Sequence, residues 1–166
     1  MPLPIEHTLI GTAVCALALR QAKPVLQWRS FLFVAISANL PDLDVLAGLI
    51  LTGNAAAFHR GFTHSLLFAA VSGLALSYSH RLWRSIPSLG FPACFLVIFS
   101  HVVSDALLTA SPVSLFWPFE VHLSGIPSNW GDLVRALARH PLLDGTLVVI
   151  CLCLLAFGNL RGSDKA

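Results

Sequence analysis

His101 and Asp105 lie four residues apart inside an apolar run, so on a helix they share one face. A helix that offers two metal ligands uses this spacing. Ionisable groups in such a run are costly and usually face a cavity or pair with one another, so the plainer alternative is a His–Asp hydrogen bond that ties helices together. Asp42-Leu43-Asp44 follows Pro41, where a helix must break or kink. That arrangement brings two carboxylates near one point, as a hard cation or a bridged pair needs. The ordinary reading is an N-cap followed by a solvated carboxylate. The most distinctive stretch is His59-Arg60-Gly61-Phe62-Thr63-His64-Ser65. Its two histidines offer imidazole nitrogen, a common zinc donor. Arg60 offers a planar fork suited to phosphate. Gly61 can take backbone angles closed to other residues, and Thr63 is expected to cap the helix that follows.

His7, beside Glu6, opens the first apolar stretch; by itself it reads as an interfacial histidine, and its case as a ligand rests on the other groups. His140 and Asp144 repeat the four-residue spacing, but Pro141 belongs in a first helical turn, which leaves His140 outside the helix. His122 sits in a long loop and His80 beside Arg81, so neither is placed in the site.

The elements that must position these residues are apolar. The chain has 166 residues, 56% hydrophobic and 11% charged, where a soluble domain carries about 25% charged residues. Its mean hydropathy of +0.79 does not suit a water-facing surface. We expect an all-α, integral membrane helical bundle of four to five apolar helices, one of them broken at Pro41, formed by residues 1–166 as one domain. Apolar stretches cover residues 5–19, 31–51, 62–79, 91–110 and 142–160. The first is short for a span, which needs about 20 residues. The second should end near Leu40 and resume at 43–51 as a piece lying at the interface or dipping back. The longest loop, 111–141, holds Trp117, Pro118, Phe119 and Trp130, which places it at the headgroup level.

The N-terminus lacks a basic region and a small-residue cleavage site, so a cleaved signal peptide is not expected. Cys15, Cys94, Cys151 and Cys153 all fall in apolar runs and are read as small buried hydrophobes without disulfides. The net charge of +2 and the lack of a basic stripe give no support to nucleic-acid binding. Arg20, Lys23 and Arg29, then Arg81 and Arg84, then Arg161 and Lys165 make alternate connections basic. By the positive-inside rule the N-terminus should be outside and the C-terminus cytoplasmic. His7, the D-x-D pair, the two loop histidines and the His101–Asp105 pair then converge on the outer face.

The order His7, Pro41-Asp42-x-Asp44, His59-Arg60-Gly61-x-Thr63-His64-Ser65, His101-x-x-x-Asp105 and Thr109-x-Ser-Pro-Val-x-Leu-Phe-Trp-Pro-Phe resembles the YdjM-like family of bacterial inner-membrane metal-dependent hydrolases. The resemblance covers about residues 6–120. It implies a distant similarity to zinc-dependent phospholipase C and related zinc nucleases, whose ligand order is echoed by His7, Asp44, His64, His101 and Asp105. Their second downstream cluster, of H-x-x-x-H-x-x-x-E type, is absent here, so fewer metals are expected.

The expectation is therefore a membrane-bound hydrolase holding a divalent metal, zinc first. Candidate ligands are His7, Asp44, His59, His64, His101 and Asp105. Arg60 would bind a phosphoryl group, and Asp42, as the free carboxylate of its pair, would act as base. The partners would be the lipid bilayer and an amphiphilic or phosphorylated substrate, with no nucleic acid. A transporter is the main alternative, though transporters favour midplane sites and internal repeats, and no repeat is visible. A non-catalytic membrane adaptor with a structural metal is the other.

Overall fold

The computed structural model describes residues 3–20, 23–109 and 112–119, together with 150, 151, 153 and 155. Most of the fifth apolar stretch, the loop beyond residue 119, His122, His140, Asp144 and the basic tail lie outside the described residues.

The chain is all-α, a membrane helical bundle. Helix α1 (Pro4–Leu19) begins with proline in its first turn, where a missing N–H costs nothing. The Glu6 carboxylate accepts from the Leu3 amide at that end. The segment after Arg20, expected as a loop, instead holds a single turn, α2 (Lys23–Leu26), and the start of α3 (Trp28–Ala38). Helix α4 (Leu43–Thr52) follows Pro41. Together α3 and α4 are long and apolar enough for one span, bent by 53° at the break. A short 3-10 turn (Phe62–His64) leads into α5 (Leu66–Leu82), and α6 (Phe91–Leu108) follows. Helix α6 is long and apolar enough to cross a membrane alone.

Helix α6 is the axis of the bundle: α1, α3 and α5 all pack on it, and α1 also packs on α3. The contacts are made by small residues, Ala13, Ala16, Ala38 and Ala93 among them, with Val34 and Val97. In lipid, helices gain little from hydrophobic exclusion and associate by close packing, which small residues permit. Two glycines set the closest approaches. A Cβ on Gly11 of α1 would stand 2.8 Å from Ala38 Cβ, and one on Gly73 of α5 would stand 2.9 Å from the Phe95 backbone. Outward the helices show Ile36, Leu46, Ile50, Val71, Leu74 and Leu107, each at least half exposed. An apolar surface on this scale suits a lipid environment and would be an aggregation hazard in water.

Three local expectations are corrected. Thr63 does not cap α5; Ser65 does, its Oγ accepting from the Phe68 amide at 3.1 Å, which frees Thr63 to face inward. The positive φ of the histidine loop falls on Arg60 (67°) and not on Gly61 (−79°). Cys15, Cys94 and Cys151 are buried as expected, whereas Cys153 is exposed, because it lies on a different face of its apolar stretch from Cys151.

Candidate metal centre

Four separate stretches bring their polar residues to one end of the bundle. His7 comes from the first turns of α1. Asp42 and Asp44 come from the α3–α4 break and the first turn of α4. His59, Arg60 and His64 come from the connection ahead of α5, and His101 and Asp105 from the last two turns of α6. His7, Asp44, Arg60, His64, His101 and Asp105 are all buried. His80 stands apart from these residues, at the C-terminal end of α5, with its Nδ1 2.9 Å from the Ser77 carbonyl.

The D-x-D pair grips the His64 ring from both edges. Asp44 Oδ2 lies 3.2 Å from His64 Nδ1, and Asp42 Oδ1 lies 3.6 Å from His64 Nε2. Asp44 has further partners. Its Oδ1 is 3.0 Å from His59 Nδ1, and its Oδ2 accepts from the Arg60 amide at 3.2 Å and from the Thr63 hydroxyl. One carboxylate thereby holds the whole histidine loop in shape.

The protonation of each imidazole follows from what faces its Nδ1. On His101 that atom is 2.7 Å from the Ala38 carbonyl, an acceptor only, so Nδ1 carries the hydrogen. On His64 and His59 it faces the Asp44 carboxylate, with the same consequence. On His7 it is 3.1 Å from Ser104 Oγ, and that hydroxyl already donates to the His101 carbonyl at 2.8 Å. Ser104 must then accept from His7. All four rings are held at Nδ1 and, in the neutral form that binds a metal, offer a lone pair at Nε2. This is the arrangement by which outer partners orient metal-binding histidines.

Those Nε2 atoms do not point apart. His101 Nε2 and His64 Nε2 are 3.3 Å apart, and Asp42 Oδ1 is 3.4 Å from the first and 3.6 Å from the second. Asp105 Oδ2 is 3.5 Å from His64 Nε2, and Asp105 Oδ1 is 3.6 Å from His7 Nε2. The His7 ring stacks on His101 with centroids 3.7 Å apart. Three groups of potential donors result: Asp42, His64 and His101; His7, His101 and Asp105; Asp44, His59 and His64. They share His101 and His64, so they form one continuous constellation.

A divalent cation fits this donor set. Zinc–nitrogen bonds of about 2.0–2.1 Å put tetrahedral donors about 3.4 Å from one another, close to the edges of the Asp42–His64–His101 triangle. Among the described residues, His7 Nε2, His59 Nε2, Asp42 Oδ1 and both Asp105 oxygens are buried without a hydrogen bond. Buried polar atoms left so cost on the order of 1–3 kcal/mol each, and converging lone pairs add repulsion. At His64, in the turn ahead of α5, burial opposes the charged form, yet Asp105, Asp42 and Asp44 outweigh that and push its pKa up to about 10.

Arg60 is buried beside the cluster in a left-handed conformation, with its Nε 3.4 Å from Asp105 Oδ2. Its carbonyl accepts from the Ser114 amide at 3.2 Å, so the segment after α6 braces the loop from outside. The least buried members of the set are Asp42, with 18% of its side chain exposed, and His59, with 13%. They mark the edge through which the cluster meets its surroundings.

Ser104 and the Ala38 carbonyl are not among the residues expected from the sequence, and Thr63 serves the site where a helix cap is expected. Ser104 was within reach of pattern reasoning: His101, Ser104 and Asp105 follow i, i+3, i+4 on one helix face. The Ala38 carbonyl carries no signal in residue type.

Fold and site together define an all-α membrane protein with a buried His/Asp constellation able to hold a divalent cation. The YdjM inner membrane protein family matches residues 1–162. A curated relative, Inner membrane protein YbcI of Escherichia coli (strain K12), is 32% identical over 125 residues, which are 72% of this chain and 69% of the relative. The chain belongs to the YdjM inner membrane protein family. No solved structure matches it.

Proposed function

We propose that this protein is a metal-dependent hydrolase of the inner membrane that acts on a phosphoester borne by an amphiphilic molecule. The observation that carries the reading is the Asp42–His64–His101 triangle, with edges of 3.3 to 3.6 Å and both imidazoles held by acceptors at Nδ1. Three protein donors and an open position are the mark of catalytic zinc sites, whereas structural sites are closed by a fourth.

In this reading Asp42, His64 and His101 hold the cation, and His7 with Asp105 extends the donor set beside it. Asp44, Thr63, Ser104 and the Ala38 carbonyl orient the imidazoles. A divalent cation there supplies Lewis acidity toward a phosphoryl oxygen and makes water easier to deprotonate. Arg60 draws in the phosphoryl group, for which its planar guanidinium fork is suited, and its Nε lies 3.4 Å from Asp105 Oδ2. Asp42 would hold the cation through Oδ1, and its other carboxylate oxygen takes the proton of the attacking water as the new P–O bond forms; the P–O bond to the ester oxygen breaks, and that oxygen leaves with the proton Asp42 took up. The site is proposed to face outward at headgroup level, in line with the basic loops on the opposite side.

The test is hydrolysis of bis(p-nitrophenyl) phosphate by detergent-purified protein, with and without a chelator. Turnover that falls with chelation and returns with zinc supports the proposal. Bound metal with no turnover of this ester or of a phospholipid would sink it and favour a membrane adaptor with a structural metal.

A further inference from the structure

The histidine loop has a polar side and an apolar side. His59, Arg60 and His64 turn toward the cluster, while Phe58, just before them, and Phe62, among them, are about half exposed. Phe62 packs edge-on against Phe68, with centroids 5.4 Å apart, and against Trp117 at 5.8 Å. Trp117 belongs to the segment 112–119, whose backbone is bonded to the same loop twice: Ser114 N–H to the Arg60 carbonyl at 3.2 Å, and Leu66 N–H to the Leu115 carbonyl at 2.9 Å. Phe116, Trp117 and Phe119 all remain substantially exposed. The result is a half-open aromatic ledge fixed to the backbone of Arg60.

We propose that Phe62 and Trp117, flanked by Phe116, are specificity-determining residues that seat the acyl chain of a lipid phosphate while its phosphoryl group reaches Arg60 and Asp42. The inference rests on the phosphoester reading and names its substrate as chain-bearing. The ledge suits this occupant for three reasons. It belongs to an inner membrane protein, so acyl chains are at hand. Tryptophan, as at Trp117, gathers at the headgroup boundary. Phe62 stands two residues from Arg60, at most about 7 Å along the chain, so one molecule can touch both. A general aromatic belt, by contrast, would take any lipid regardless of its headgroup.

The experiment uses the full chain in nanodiscs of phosphatidylcholine, each containing one photoactivatable probe. One probe is a phosphatidic acid with a diazirine in one acyl chain, and the other is the diacylglycerol with the same chain. Peptide mapping should find residues 58–68 and 112–119 labelled about tenfold more by the phosphatidic acid, the factor that a charge-assisted contact of its phosphate with Arg60 can supply while the chain lies on the ledge. Phe62→Ala and Trp117→Ala should lose most of the phosphatidic acid labelling of these two segments, because the chain is no longer seated there, whereas Phe62→Leu, which keeps bulk, should retain part of it. Equal labelling by both probes identifies a lipid belt and overturns the inference. Preferential labelling without phosphate release from any ester leaves the ledge standing and defeats the hydrolase reading. Hydrolysis of a tail-less ester without preferential labelling does the reverse.

Discussion

Each imidazole in the cluster is held at one nitrogen and offers the other, and that division of labour makes single substitutions informative. His101→Ala and Asp105→Ala should lose bound metal together, because one face of α6 carries both; His80→Ala, at the far end of α5, should leave it unchanged. Metal content of purified variants decides this, and depletion by His80→Ala as deep as by His101→Ala would show the site is elsewhere. Ser104→Ala removes no donor, yet it frees the His7 ring. We expect metal affinity about tenfold weaker, as for other losses of an orienting partner, measured by chelator competition. Arg60 separates structure from chemistry. Arg60→Lys should keep the metal and lower phosphoester turnover, and Arg60→Ala should lower it further, on the order of ten- to a hundredfold, for a charge-assisted contact of about 1.5–3 kcal/mol. Metal lost in Arg60→Ala would mean that its link to Asp105 only holds the cluster together. At this scale the sequence displayed the ionisable groups, since charge is conspicuous among apolar residues. It did not show that Asp44 faces His64 Nδ1 while Asp42 faces Nε2, because side-chain direction at a helix break depends on what packs against it.

Helix positions set the site as firmly as its donors do. Gly11 lets α1 settle against Ala38, and the Ala38 carbonyl orients His101. Gly11→Leu should therefore reduce metal content although position 11 offers no ligand, and should cost about 1–3 kcal/mol through overpacking. The exposed Leu74→Ala serves as control. Melting in detergent and metal per chain are the two readouts; full metal in a destabilised Gly11→Leu protein would disconnect helix approach from the site. Periodicity and one proline were enough to locate α1, α5, α6 and the broken α3–α4 span, since hydrophobic runs and a missing N–H are properties of residue type. The turn α2 was not visible because Lys23-Pro24-Val25-Leu26 is too short to show a period. Thr63 and Ser65 both suit an N-cap by residue type, and the bond from Thr63 to Asp44 leaves the cap of α5 to Ser65.

For the whole molecule the governing fact is polarity from end to end: the His/Asp constellation gathers at one end, and the Arg20 and Arg81 connections stand at the other. We expect the constellation to face outward, with the N-terminus outside and the C-terminus cytoplasmic. Alkaline phosphatase fused near Ser128 should be active and the same enzyme fused after residue 166 inactive; the reverse pattern would put the site on the cytoplasmic side. Convergence of distant stretches on one end was legible from the alternation of basic loops, while the closeness of the donors was not, because it depends on how helices with small residues interlock. The central claim is that Asp42, His64 and His101 hold a divalent cation. Its most direct test is elemental analysis of detergent-purified protein beside Asp42→Ala, His64→Ala and His101→Ala, each confirmed as folded by its helical circular dichroism. Bound zinc, or another divalent metal, in the parent chain and its loss in all three variants is the predicted result; a parent chain that neither carries nor takes up a divalent metal, or variants that keep it, would contradict the account.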